Sequence, residues 1–402
     1  MRSKTRHPWL VSAMSLLVAT ICCGPADKAD LRTFIVNARV IDGNGGPSRQ
    51  VDVRIDGDRI GAIGDLQPQG HNIVVDGGGL VLAPGFIDSH SHHDGGLVDE
   101  MPDALAVVSQ GATTIVAGQD GGQRHPLADF FTRLEEAPVA INVASYAGHG
   151  TIRSMVMGDD YMRPSTDAEL ADMETLLRTE MDAGALGLGT GLEYDPGNFS
   201  TPEEVVALAK VASAYGGRYI SHFRSEDQYF WEALDEIINI GREASIPVQV
   251  SHIKLAMPRW WGQTDRLLAT LDEARASGVE ITADIYPYPA WQTGFRWLLT
   301  VFPDRDPNRR EGAEYVLQQM LRPDGLLLAN YPAQPTYNGM TVAQIAGERG
   351  DDPVTTLMSL LAEDSEFAKQ GDEAAASSML GFAMDEPDIE AIIAWPFAVI
   401  CS

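Results

Sequence analysis

Apolar positions fall into two rhythms along the chain, and the change comes near Pro84. Between residues 31 and 84, "RTFIVNARVIDGNGG", "QVDVRIDGDRIGAIGD" and "HNIVVDGGGLVLAPG" alternate apolar and polar residues and are broken by Asp-Gly and Gly-Gly. A period of two with those breaks predicts short strands joined by tight turns. Residues 31–84 are therefore expected to form a small β-domain without helices.

From residue 85 onward, apolar or β-branched runs alternate with amphipathic helical stretches. The runs are "GFIDSHSHH" (85–93), "TTIVAG" (113–118), "AINVASYAGHG" (140–150), "GALGLGTG" (184–191), "GRYISH" (217–222), "PVQVSH" (247–252), "VEITADIYPY" (279–288) and "FAVICS" (397–402). Helical patterns lie between them, including 201–217 and 228–245. The first of these has Thr201 as a cap, Pro202 at the first helical position and Gly216 after its end. Strand–helix alternation predicts a parallel sheet, and eight strands predict a closed (β/α)₈ TIM-type barrel in an α/β protein. No Gly-rich dinucleotide fingerprint follows the first strand to favour an open doubly wound sheet. The eighth run ends at the last residue. Between runs seven and eight lies an insertion, about 289–396, in which "GAEYVLQQMLRP" and "DPVTTLMSLLAED" read as helices. A lid over the site and extra packing helices outside the barrel both remain open for it.

Composition narrows the classes. A chain of 402 residues fits one barrel-sized domain plus a minor one, and 44% hydrophobic with 21% charged residues is ordinary for a globular protein. A net charge of −28 argues against a nucleic-acid or anionic-membrane partner, which would need a basic footprint. Cys22, Cys23 and Cys401 are the three cysteines, so no disulfide framework holds the body together. Residues 1–30 carry Arg2, Lys4 and Arg6 and then an uncharged apolar run from Trp9 to Ile21. That run is shorter than the roughly 20 residues of a membrane span and reads as a bacterial export signal. Cys22 or Cys23 is a candidate lipid attachment site, although Ala19, Thr20 and Ile21 depart from the small-residue pattern such processing prefers. The expected location is the periplasm, or the membrane through an N-terminal lipid.

Six of the nine histidines (His90, His92, His93, His149, His222 and His252) fall at the C-terminal ends of predicted strands, where a barrel gathers its active site. His90 and His92 are two apart, which on a strand points both rings to one side. His222 and His252 each close a strand as Ser-His. Asp120, in "GQDGG", follows the second strand and can bridge or complete both pairs. Such nitrogen-rich donors suit zinc, which lowers the pKa of bound water and polarises a carbonyl. Amide hydrolysis also needs a general base, and the chain stops at Ser402 before a strand-eight carboxylate appears.

The stretch "LVLAPGFIDSHSHHD" resembles the opening metal motif of the amidohydrolase superfamily. "GHGTIR" (148–153), "GALGLGTGLEYDPGNFSTPEE" (184–204), "YISHFRSE" (219–226), "VQVSHIK" (248–254) and "ADIYPYPA" (283–290) resemble the D-aminoacylase branch, the N-acyl-D-amino-acid deacylases. The resemblance runs from about residue 33 to the end. It implies hydrolysis of an N-acyl-D-amino acid, a small-molecule substrate, with one or two divalent ions, zinc first. It implies His90 and His92 as one metal pair and His222 and His252 as ligands of the tighter zinc. It further implies that Tyr194, Lys254 and Tyr286 hold the substrate carboxylate or carbonyl, with Arg224 also among the substrate-binding candidates. The sequence departs from the family in having Asp120 where well-known members have a ligating cysteine. It also ends at the serine of the family's strand-eight Ser-Asp-Gly, whose aspartate is the general base, and lacks the C-terminal strands that return to the small β-domain. The expectation is a C-terminally truncated, inactive fragment of an active parent. A cyclic-amide hydrolase of the same superfamily is the alternative, though its bridging carboxylated lysine has no counterpart at a strand end here except Lys254. A non-catalytic exported binding protein is the alternative from another class.

Overall fold

The computed structural model describes residues 32–369 and 376–401. The export-signal reading, with Cys22 and Cys23, and Ser402 lie outside the described residues. Internal contacts divide the chain into two units, residues 1–84 and 85–402. No helix among the described residues is long and apolar enough to cross a membrane.

The first unit is a sheet without helices. β1 (Thr33–Val40) pairs antiparallel with β2 (Arg49–Asp56), and β2 pairs antiparallel with β3 (Arg59–Gly64). β4 (Ile73–Asp76) and β5 (Val81–Leu82) run parallel to β1 on its other side. Phe34, Ala38, Val40 and Val53 are buried, which is the inward half of the period-two pattern. Ile60, Val74 and Leu80 stand exposed.

The second unit alternates strands and helices. In order these are β6 (Phe86–Asp88), α1 (Leu105–Val108), β7 (Ala112–Ala117), α2 (Leu127–Glu136), β8 (Asn142–Ser145), β9 (Ala147–Gly148), α3 (His149–Met157), α4 (Asp167–Asp182), β10 (Gly187–Gly191), α5 (Pro202–Ala214), β11 (Arg218–His222), α6 (Phe230–Ala244), β12 (Val248–Val250), α7 (Thr264–Ala276) and β13 (Ile281–Ile285). After the insertion come α11 (Glu386–Ile393) and β17 (Ala398–Ile400). The hydrogen bonds form two parallel arcs, β6–β7–β8 and β9–β10–β11–β12–β13–β17. The sequence's third run is broken at Tyr146 into β8 and β9, so the eight expected barrel strands are present in chain order.

Burial explains why these runs read as continuous apolar stretches. Every residue of β10 is buried, and so is β11 after Arg218. A parallel strand covered by helices on one face and by the barrel interior on the other has no solvent side. Leu188, Tyr219, Val248, Val250 and Ile281 pack in one cluster with Val205 and Leu208 of α5, Ile237 of α6 and Leu267 and Leu271 of α7. α5 starts where the sequence places it: the Thr201 hydroxyl accepts from the Glu204 amide at 3.3 Å, and Pro202 is at the first turn.

The insertion contains a sheet that the sequence reading did not anticipate. β14 (Ala290–Gly294), β15 (Leu326–Asn330) and β16 (Ser378–Phe382) form an antiparallel sheet in the order β14–β16–β15. Around it lie α8 (Arg310–Tyr315), α9 (Val342–Arg349) and α10 (Pro353–Ala368). The two stretches read as helices are helical here. Phe295, Leu298, Leu326, Leu328, Leu357, Leu360 and Met379 give the insertion a core of its own. Trp291, Met320, Leu380 and Phe382 of this insertion also line the main cavity, so its role is not confined to packing outside the barrel.

Candidate metal centre

The C-terminal ends of the barrel strands open into a cavity of about 940 Å³. His222 is the last residue of β11, and His252 lies two residues past the end of β12. His90 and His92 lie beyond β6, not on it, because the strand stops at Asp88. The sequence reading made them strand residues. In the structure the chain leaves the sheet first, and the two rings meet edge to face with centroids 5.4 Å apart. Asp120 follows β7 in a loop with a left-handed φ of 52°, and His252 has φ 33°. Non-glycine residues held at positive φ cost about 1–3 kcal/mol and cluster at functional positions. Gly191, at the end of β10, is required here: an added Cβ would strike the Asp120 carbonyl.

Asp120 is the point on which the imidazoles converge. One carboxylate oxygen lies 3.7 Å from His90 Nε2 and 3.6 Å from His252 Nε2, and the other lies 3.2 Å from His92 Nε2. His222 Nδ1 is 3.0 Å from His252 Nε2. Asp120 Oδ1 is buried without a hydrogen-bond partner, and so is His90 Nδ1. Two donors bound to one tetrahedral zinc at about 2.1 Å sit roughly 3.4 Å apart. The observed spacings of 3.2–3.7 Å around the Asp120 carboxylate, one oxygen of which is orphaned, therefore fit a shared divalent ion. His90, His92 and Asp120 form one such donor group, and Asp120, His222 and His252 another. The two differ in solvation: the His92 side chain is 63% exposed, whereas His222 is 4% exposed.

The electrostatics agree with a cation-binding centre. Burial opposes the Asp120 charge, but His90 and His252 outweigh it and hold the carboxyl well below its ordinary range. Burial would depress His90, yet Asp284 and Asp120 outweigh it and raise the ring to about 10. His222 is pushed down to about 3, chiefly by burial. Asp120, Glu226, Asp227 and Glu193 line the cavity with Lys254, and burial, with Glu226 and Asp227 nearby, pushes the Glu193 carboxyl well above its ordinary range.

Three carboxylates escaped the sequence reading. Glu193 Oε2 lies 2.8 Å from His222 Nε2, Glu226 Oε1 lies 2.9 Å from His252 Nδ1, and Asp284 Oδ1 lies 3.3 Å from His90 Nδ1. Each sits inside a stretch already singled out. Glu193 precedes Tyr194, Glu226 is one helical turn from His222 in sequence, and Asp284 is two before Tyr286.

Of the proposed substrate contacts, Tyr194, Lys254 and Tyr286 line the cavity. Lys254 Nζ donates to Glu226 Oε1 at 2.5 Å and to the His252 carbonyl at 3.0 Å. Burial pushes both phenols well above the usual tyrosine range, so they stay protonated donors. Arg224 is placed elsewhere: its guanidinium donates twice to Glu236, at 2.8 Å each, and it is not among the residues lining the cavity. The reason is a partner twelve residues on, presented by α6. His149 likewise turns away and pairs with Glu204 at 2.8 Å, and His93 lies 3.0 Å from the Ser91 hydroxyl. Four of the six strand-end histidines thus converge on the cavity.

Comparisons with known proteins follow the same outline. Residues 73–293 match the model of the amidohydrolase family. The chain is similar to the N-acyl-D-glutamate deacylase of Alcaligenes xylosoxydans xylosoxydans, with 35% identity covering 91% of this chain and 72% of that one. It is similar to the D-aminoacylase of the same organism, with 32% identity covering 92% of this chain and 74% of that one. Among solved structures, the N-acyl-D-glutamate deacylase of Bordetella bronchiseptica, complexed with zinc and a phosphonate inhibitor, superposes with a TM-score of 0.77 at 30% identity. That match covers 92% of this chain and 76% of that one.

Proposed function

The chain belongs to the amidohydrolase family, and from that premise we propose that the protein hydrolyses the amide bond of N-acyl-D-amino acids at a centre of one or two divalent ions, zinc first. The observation that carries this reading is the gathering of His90, His92, His222 and His252 around Asp120, one oxygen of which is buried and unpartnered. A divalent ion bound there supplies a water of lowered pKa and polarises the scissile carbonyl.

The chain's own residues bind and orient the substrate. Lys254, a buried ammonium at the cavity wall, attracts the carboxylate or carbonyl of the bound amide. Tyr194 and Tyr286, protonated through their burial, donate to the same groups. Trp291, Met320, Leu380 and Phe382 present an apolar wall to the acyl chain or side chain and exclude water from it. Proton transfer from the attacking water to the leaving nitrogen needs a general base, a role that the resemblance assigns to the aspartate of the family's strand-eight Ser-Asp-Gly. The D configuration rests on the deacylases to which the chain is similar. On the reading of residues 1–30, the protein is exported to the periplasm or anchored there through a lipid.

The test is amine release from paired N-acetyl-D- and N-acetyl-L-amino acids by the protein, with and without chelation. The expected result is hydrolysis of the D series, lost on chelation and restored by zinc. Opening of a hydantoin or dihydropyrimidine ring in place of linear amides would move the assignment to the cyclic-amide hydrolases. Zinc binding with no turnover of either series would make it a binding protein.

A further inference from the structure

The three buried imidazoles share one arrangement. His222, His252 and His90 each turn one nitrogen toward the Asp120 centre and the other toward a carboxylate from a different segment of the barrel. The outer partners are Glu193 at 2.8 Å, Glu226 at 2.9 Å and Asp284 at 3.3 Å. We infer that Glu193 and Glu226 are positioning residues of the metal centre, each accepting the N–H of one imidazole, of His222 and His252 respectively, and so leaving the lone pair of its other nitrogen facing the ion. This inference rests on the metal-centre reading above.

The physical case is one of proton placement. A neutral imidazole carries a single N–H, and only the other nitrogen can bind a metal. In water both tautomers are populated, and the ring rotates freely. A carboxylate that accepts the N–H fixes tautomer and ring orientation together and raises the basicity of the ligating nitrogen. His252 shows that the carboxylate is the partner that decides this. Its Nδ1 lies 2.8 Å from Lys254 Nζ and 2.9 Å from Glu226 Oε1. An ammonium can only donate, and Lys254 is already placed to donate to Glu226 Oε1 and to the His252 carbonyl. With Glu226 accepting from Nδ1, Nε2 is left bare toward Asp120. His222 is backed in the same way by Glu193, whose second oxygen accepts from the Glu226 amide at 3.2 Å. Asp284 is itself fixed by the His252 amide and the Gln249 side chain, at 2.6 Å each.

His92 provides the contrast. Among the described residues its only carboxylate within ion-pair distance is Asp120, and its side chain is 63% exposed. Two imidazoles, those of His222 and His252, thus have a backed outer nitrogen, which fits the tighter zinc that the resemblance places at them.

The experiment is zinc affinity of the metal-stripped chain by chelator competition, with the cobalt absorption spectrum as a report of ligand geometry. Glu193→Gln and Glu226→Gln keep side-chain shape and exchange one carboxyl oxygen for an amide donor. Each is expected to weaken zinc about 10–100-fold without changing the number of ions bound, and to alter the cobalt band. Asp227→Asn is the control. Asp227 lines the same cavity but accepts from Ser225 and Tyr315, and backs no imidazole. Its zinc affinity should stay within about twofold of the parent. Loss of a whole equivalent of zinc in Glu193→Gln would make Glu193 a ligand and overturn the inference. Unchanged affinity in both glutamine variants, or an equal loss in Asp227→Asn, would also overturn it while leaving the metal centre standing. A parent chain that binds no zinc would sink the metal-centre reading itself. Melting of the metal-free variants shows whether they are folded. If one glutamine variant does not fold, the other carries the comparison.

Discussion

Replacing Glu204 with glutamine tests how the end of the third barrel strand is held. Arg153 on α3 is fully buried, and its guanidinium donates to both oxygens of Glu204, one of them at 2.6 Å. His149 Nε2 lies 2.8 Å from the same carboxylate, and the Ser165 hydroxyl donates to it at 2.6 Å. One carboxylate at the start of α5 thus pins the start of α3 and the loop that follows it. Glutamine preserves shape but leaves a buried guanidinium without a counter-charge, which costs about 3–5 kcal/mol. A second route gives a similar size. Burial would raise the Glu204 carboxyl, but His149 and the other partners outweigh it and lower it from 4.5 to about 2. At about 1.4 kcal/mol per unit, that shift is linked to roughly 3 kcal/mol of stability. For a unit spanning residues 85–402 the unfolding entropy is about 0.7 kcal/mol/K, so Tm should fall about 4–8 °C at pH 7. The folded pKa is depressed, so this stability is present above the unfolded value of 4.5 and is lost as pH falls toward 2. Roughly half or less should remain by pH 3. Scanning calorimetry of both proteins at pH 7 and at the lowest pH where both unfold reversibly measures the gap. A gap below about 1 °C at pH 7, or one that widens in acid, would refute the reasoning.

The remaining predictions concern the site. His222→Ala and His252→Ala should each lose the tight zinc, a loss beyond the 10–100-fold typical of outer partners, whereas His92→Ala should keep it; competition with a chelator reads all three. Gly191→Ala pushes a Cβ into the Asp120 carbonyl, so it should destabilise by about 1–3 kcal/mol and weaken zinc in the same assay. Unchanged zinc binding there would mean that Asp120 is not held by β10. Trp291→Ala should raise KM for bulky N-acyl-D-amino acids about tenfold with kcat nearly unchanged, a loss of about 1.4 kcal/mol of apolar contact. An equal effect on the smallest substrate would remove Trp291 from the apolar wall.

Much of the barrel is legible in the sequence because parallel strands covered on both faces leave continuous apolar runs, and "YISH" and "VQVSH" carry their ligands at the strand ends. The insertion's sheet is not legible. β14 pairs with β16 across the chain, Ala290 against Phe382, so neither five-residue run has a hairpin turn to mark it. The histidine count misleads for the same reason. His149 looks like His222, each at the end of a strand, and only the tertiary partner separates them: Glu204 on α5 for one, the cavity for the other. Arg224 stands in a motif beside His222 but is taken by Glu236. The outer carboxylates were hidden because a lone Glu before a Tyr carries no spacing signal. Their meaning appears only when the ring nitrogen they face is known.

The most direct test is to strip the protein of metal, titrate zinc back, and follow release of the D-amino acid from its N-acetyl derivative. Activity should be absent without metal and appear with the first equivalent of zinc, with the L enantiomer left intact. Turnover that persists after complete metal removal, or tight zinc uptake with no N-acyl-D-amino acid hydrolysed, would contradict the assignment.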